Sequence, residues 1–89
     1  VGEVIDPDKL KAMCATNGYL APQIIDDNNW CCLAPFLYTV AIMRGTERDM
    51  DTGYERRWCY HDFAAAVVAL AEWKDRGFEG KPLNYITEK

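Results

Sequence analysis

Two strand-forming runs that feed directly into a helix-forming one leave this chain few folds to adopt. Residues 30–43 (WCCLAPFLYTVAIM) are almost wholly apolar, and both alternate sets are bulky: Phe36, Tyr38, Val40, Ile42 and Leu37, Thr39, Ala41, Met43. Such a run reads as one strand covered on both sides, or with an aromatic exposed face, with Pro35 breaking the ladder locally. Residues 54–61 (YERRWCYH) form a second strand, and the polar residues 44–53 between the two read as a long hairpin loop with glycine near each end. Asp62 then caps a helix over roughly residues 63–76. Five alanines raise its propensity, Phe63, Ala66, Val67, Leu70 and Trp73 form one stripe, and Gly77 ends it.

Ahead of this core, Asp6-Pro7 is a helix start and Asn17-Gly18 a left-handed stop, so a short helix is expected over roughly residues 7–16, with Leu10, Met13 and Cys14 on one side. Residues 19–25 contain Pro22 and lead into the turn cluster Asp26-Asp27-Asn28-Asn29. At the other end, Tyr85-Ile86 within residues 81–87 offers a short edge strand. The class is α+β: a short N-terminal helix, an antiparallel hairpin with a helix on one face (ββα), and a C-terminal edge strand. With 89 residues there is room for one domain, residues 1–29 forming its helix-and-turn segment and 30–87 its core. A basic start followed by an apolar core, the mark of a signal peptide, is not read here. The longest uncharged run, residues 28–43, is too short and too polar to span a bilayer.

Fourteen acids against ten bases give a net charge of −4. That balance argues against a non-specific binder of nucleic acid or anionic membrane, which needs unopposed cations facing phosphate. Residues 1–40 hold five of the acids, Glu3 among them, and only two bases. Clusters around Arg44, Arg56 and Arg57 can therefore be locally basic inside an acidic whole. The four cysteines, Cys14, Cys31, Cys32 and Cys59, read as reduced, buried thiols in a cytoplasmic protein rather than as two disulfides. Cys31 and Cys32 are adjacent in a strand and must point to opposite faces.

Candidate chemistry can be tested against spacing. A zinc site from Cys31 or Cys32 with Cys59 and His61 lacks a second ligand pair, and no CxxC or HxxxH spacing exists. Cys59 and His61 as nucleophile and base would stand parallel on one strand face, roughly 6–7 Å apart. A calcium loop from Glu47, Asp49, Asp51 and Glu55 fails, because position 12 counted from Asp49 is Tyr60 where Glu is needed. No catalytic residue, metal or cofactor is assigned, and the chain is not expected to be an enzyme.

The second strand has two faces, Tyr54, Arg56, Trp58, Tyr60 and Glu55, Arg57, Cys59, His61, and the helix can cover one. Either Trp58 and Tyr60 lie under the helix as core, with Arg56 at the rim, or the small Cys59 lies there and the aromatics face outward. Packing capacity points to the second arrangement, since the helix stripe already brings Phe63, Val67, Leu70 and Trp73 to the sheet. Tyr54, Arg56, Trp58 and Tyr60, joined by Arg44, then form a partner-binding surface, because Tyr, Trp and Arg dominate binding hot spots. Asp26 and Asp27 are candidates for steering a basic partner.

Three segments carry a resemblance: Trp30-Cys31-Cys32-Leu33-Ala34-Pro35-Phe36, Gly53-Tyr54-Glu55-Arg56-Arg57-Trp58-Cys59-Tyr60, and residues 66–73 (AVVALAEW). Together they resemble a family of short accessory proteins of tailed phages and prophages with the pattern W-x-C-L-x-P-F, G-Y-x-x-R-[YW]-C-Y and A-L-x-x-W. The resemblance spans residues 30–86; Leu83-Asn84-Tyr85-Ile86-Thr87 stands where the family has a Trp-Ile-Lys segment. It implies a ββα accessory protein, and the company such proteins keep implies antagonism of host machinery, CRISPR complexes included. The expectation is thus a non-catalytic protein that binds and inhibits a host protein or protein–nucleic-acid complex in the host cytoplasm. The alternative is a small nucleic-acid-binding module using the hairpin arginines and aromatics.

Overall fold

A computed structural model describes residues 4–89, so Glu3 and the two residues before it lie outside the described part of the chain. The first helix, α1 (Pro7–Asn17), starts where Asp6 accepts a hydrogen bond from the Asp8 amide at 3.0 Å and stops at Gly18, whose φ of 72° is left-handed. Four strands and a second helix follow: β1 (Leu20–Ile24), β2 (Asn29–Pro35), β3 (Val40–Thr46), β4 (Arg56–Tyr60) and α2 (Phe63–Asp75). The strand β5 (Thr87–Glu88) closes one antiparallel sheet in the order β1-β2-β3-β4-β5. The class is α+β, with the expected N-terminal helix and with the hairpin and α2 packed together.

Three features depart from the sequence expectation. Residues 30–43 make two strands, not one. Pro35 has no amide to continue the ladder, and the Phe36 amide turns back to the Thr39 carbonyl at 2.7 Å, which leaves Leu37 and Tyr38 at the tip of a tight turn. Residues 20–24 form an edge strand despite Pro22, tolerated because an edge strand has one unpaired side; the register slips between Leu20 and Gln23, where Ala21 has a φ of 50°. The C-terminal edge strand is present but lies at Thr87–Glu88, against Trp58 and Cys59.

Both faces of the sheet are covered. On one, Trp30, Cys32, Ala34, Ala41, Met43 and Cys59 pack with Ile5, Leu10 and Cys14 of the α1 side and with Met50 of a 3-10 turn, Arg48–Asp51. On the other, Cys31, Leu33, Ile42, Trp58 and Tyr60 pack with Ala66, Ala69, Leu70 and Trp73 of α2. Cys31 and Cys32 therefore do enter opposite cores, and all four cysteines are buried and free. Burial pushes the Cys31 thiol up to about 12 and raises Cys14 and Cys32 as well, the direction expected when a thiolate would have to sit without water.

Two local devices hold the α1 side together. Trp30 lies across Gly45, its cross-strand neighbour, and donates its indole N–H to the Thr46 carbonyl at 2.7 Å. A Cβ on Gly45 would stand 2.7 Å from the Trp30 ring, so only glycine fits there without a shift. The acids of the 44–53 stretch tie the loop down: Asp49 accepts from the Thr46 amide and hydroxyl, and Glu47 and Asp51 lie 3.7 and 3.4 Å from the Lys9 ammonium of α1.

Candidate functional site

The residues expected to form one binding surface are divided between core, rim and the opposite face. Trp58 and Tyr60 are each 1% exposed beneath α2, which corrects the outward placement. The packing argument failed because Phe63 and Val67 are not used against the sheet. They are 48% and 40% exposed, so α2 meets the strands through the smaller Ala66 and Ala69 with Leu70 and Trp73, and space remains for two large rings. Each ring also satisfies its polar atom: the Trp58 indole donates to Glu88 at 2.7 Å and the Tyr60 hydroxyl to the Leu83 carbonyl at 2.8 Å. Burial raises Tyr60 to about 12.

Arg44 and Arg56 stand directly opposite each other on β3 and β4, on the α2 side. The structure does bring this pair together, but each has a partner: Arg44 reaches the Asn29 side-chain oxygen at 3.3 Å and Arg56 lies 3.8 Å from Glu88. Asp26 is committed to its own turn. Its carboxylate accepts from the Asn28 and Asn29 amides and from the Asn29 side chain, and these bonds, the Asn29 side chain foremost, hold its pKa below the ordinary carboxylate value. Asp27 is exposed, and its carbonyl accepts from the Ile5 amide at 2.8 Å.

Tyr54 sits elsewhere. The strand alternation begins only at Arg56, so Tyr54 is free of it and turns to the α1 side, beside Arg57. There the Arg57 guanidinium lies 4.9 Å from the centre of the Phe36 ring and 5.7 Å from that of Tyr54. Arg57 follows Arg56 on β4 and faces its neighbour Met43; Phe36 arrives from the β2–β3 turn, which is why no sequence spacing joins them. The Arg57 Nε is buried with no hydrogen-bond partner among the described residues. Among the described residues its side chain makes neither hydrogen bond nor ion pair, although four acids elsewhere are engaged by Lys9, Arg56, Lys81 or Thr46. An unpaired buried donor costs about 1–3 kcal/mol, and two exposed cation–π contacts return about 0.5–1 kcal/mol each, so the cluster is poorly compensated within the chain alone.

The surroundings are open, apolar at the turn beyond Phe36 and largely polar on the Tyr54 side. Leu37 and Tyr38 are 85% and 86% exposed at the turn beyond Phe36. On the Tyr54 side, a recess of ≈ 260 Å³ opens between the end of α1 and the loop, lined by Met13, Asn17, Tyr19, Asp51 and Thr52. A guanidinium beside two rings, with no hydrogen bond to its Nη groups among the described residues, can take a carboxylate edge-on while flanking apolar groups meet the rings. Among the described residues no group of three or more His, Cys, Asp or Glu is placed to hold a metal ion, and no helix is long and apolar enough to cross a membrane. No protein-family model matches the chain, and no curated protein or solved structure is significantly similar to it.

Proposed function

We propose that this chain is a non-catalytic accessory protein of the phage and prophage type. It binds a host protein complex through the surface around Arg57 and inhibits it, with defence complexes such as CRISPR effectors as targets in the host cytoplasm. The observation that carries the reading is Arg57, placed against Phe36 and Tyr54 and without an acceptor among the described residues. Aromatic rings beside an arginine, with Leu37 and Tyr38 exposed at the turn beyond Phe36, have the make-up of a binding hot spot. A carboxylate on the partner, flanked by apolar side chains, is the complement of this surface.

The test compares variants of the immobilised chain in host lysate. Proteins retained by the parent and by Arg56→Glu are expected to be lost by Arg57→Glu, an interface cost of about 2 kcal/mol or more. Retention that ignores the charge of residue 57, or no retention at micromolar concentration, overturns the proposal. A second reading, nucleic-acid binding, draws on the placement of Arg44 opposite Arg56. It requires binding that weakens steeply with salt; a salt-insensitive absence of any gel shift with mixed DNA and RNA removes it.

A further inference from the structure

The three large rings of the α2-side core owe their polar partners to one segment, residues 77–89. The Trp73 indole donates to the Glu79 carbonyl at 3.1 Å, the Tyr60 hydroxyl to the Leu83 carbonyl at 2.8 Å and the Trp58 indole to the Glu88 carboxylate at 2.7 Å. The first two acceptors are backbone, and Pro82 between them is fully buried. The third is a side chain on β5, beyond Asn84, whose φ of 65° is left-handed. Arg56 and Lys81 flank the Glu88 carboxylate at 3.8 and 3.7 Å, so on the α2 side β5 is well matched to its surroundings.

On the α1 side it is not. The Arg57 amide donates to the Lys89 carbonyl and the Lys89 amide to the Arg57 carbonyl, both at 2.8 Å. Such a reciprocal pair sets the two residues directly across from each other, with both side chains on the face where Arg57 meets Phe36 and Tyr54. Two cations therefore stand opposite each other, and Lys89, like Arg57, is in no ion pair among the described residues. Like charges directly opposite weaken a ladder. Residues 86–89 are also exposed, which adds little burial to hold the strand.

We infer that β5 occupies the β4 edge as a displaceable strand, and that an extended segment of the partner carrying two adjacent acids takes its place. The first acid does on the α2 side what Glu88 does now, accepting from the Trp58 indole. The second stands where Lys89 stands and gives Arg57 a carboxylate. Main-chain bonds to Arg57 and Cys59 supply the pairing, as in other strand additions to a sheet edge. Displacement stops at Tyr85, because the Leu83 carbonyl, buried Pro82 and the 2.6 Å bond from Lys81 to the Tyr85 hydroxyl hold the residues before it. The inference rests on the reading of Arg57 as the partner site and adds the conformation and charge pattern of what binds there.

Two capped hexapeptides, Ile-Thr-Glu-Glu-Thr-Thr and Ile-Thr-Glu-Lys-Thr-Thr, serve as probes, titrated into the full chain and followed by amide NMR shifts. The first is expected to bind about fivefold tighter or more, with the largest shifts at Arg57, Trp58 and Cys59 and at Thr87 and Glu88 as β5 leaves. In the chain itself, Lys89→Glu should slow hydrogen exchange of the Arg57 amide about fivefold and weaken the first peptide to a similar degree. Neither effect should survive in an Arg57→Met background. Equal binding of the two peptides, shifts that spare β4, or exchange at Arg57 unmoved by Lys89→Glu overturns the inference. In host lysate, a partner lost by Arg57→Glu but kept in full by Lys89→Glu leaves the Arg57 reading standing and overturns the strand exchange. A partner kept by both variants removes that reading instead, and the peptide titration then decides the edge on its own.

Discussion

The two faces of β4 show how differently the same strand can be treated within one small sheet. On the α2 side, Trp58 and Tyr60 are buried, their polar atoms are bonded, and the Trp58 and Trp73 rings meet edge to face at 5.5 Å. On the α1 side, Cys59 is buried too, but one position along the same face Arg57 is only partly covered and has no acceptor among the described residues. The neighbours Arg56 and Arg57 make the same point: Arg56 is more exposed but lies near Glu88, while Arg57 is more covered and has no ion-pair partner among the described residues. One face is finished by the chain itself. The other is finished except at Arg57, the residue on which the proposed partner surface is centred.

The largest test of the contrast is Trp58→Ala. Removing a fully buried indole is expected to cost about 3–5 kcal/mol in urea unfolding, enough to leave so small a domain largely unfolded. Next in size is alkaline pH, which reads both cores at once. Cys31 and Tyr60 on the α2 side and Cys32 and Cys14 on the α1 side are all raised by burial. Their contribution is complete below the ordinary thiol value near 9 and is lost as pH climbs toward the folded values of about 12, since the unfolded chain gives up these protons first. Denaturation midpoints should therefore hold steady to pH 9 and fall above it; a midpoint unchanged to pH 11 would contradict the burial of these groups.

Gly45→Ala comes third and probes the α1 side alone. Its Cβ meets the Trp30 ring, and a loss of about 1–3 kcal/mol is expected, with a change in Trp fluorescence as the indole shifts. The smallest effect on stability belongs to Arg57→Met, within about 0.5 kcal/mol, because the variant keeps an apolar stem and removes an unsatisfied donor. A loss comparable to that of Gly45→Ala would make Arg57 a structural residue and close the contrast between the faces.

Much of the local structure was legible from the residues. Asp6-Pro7, Asp62 and Gly18 act at the helix ends through bonds their own side chains or backbone make, so neighbours in sequence suffice to place them. The alternation of residues 56–60 correctly separates Trp58 and Tyr60 from Arg57 and Cys59. The split of residues 30–43 was half legible: Pro35 announced a break, but the turn at Phe36–Thr39 depends on a hydrogen bond that a continuous apolar pattern does not reveal. The 19–25 segment carried no strand signal, because Pro22 and a slipped register hide the alternation.

By itself, then, the sequence determined the α+β class, the two capped helices, the hairpin of β3 with β4, and which side chains of β4 share a side. Those are consequences of covalent chirality, a two-residue period and side chains that bond within a few positions of themselves. Only the tertiary structure decided which side faces which helix. That choice rests on volumes brought together from distant positions: small Ala66 and Ala69 admit Trp58 and Tyr60, α1 closes the other face, and a turn at Phe36 returns a ring to Arg57. Period-two alternation is symmetric between the two faces, and only packing against particular neighbours breaks that symmetry.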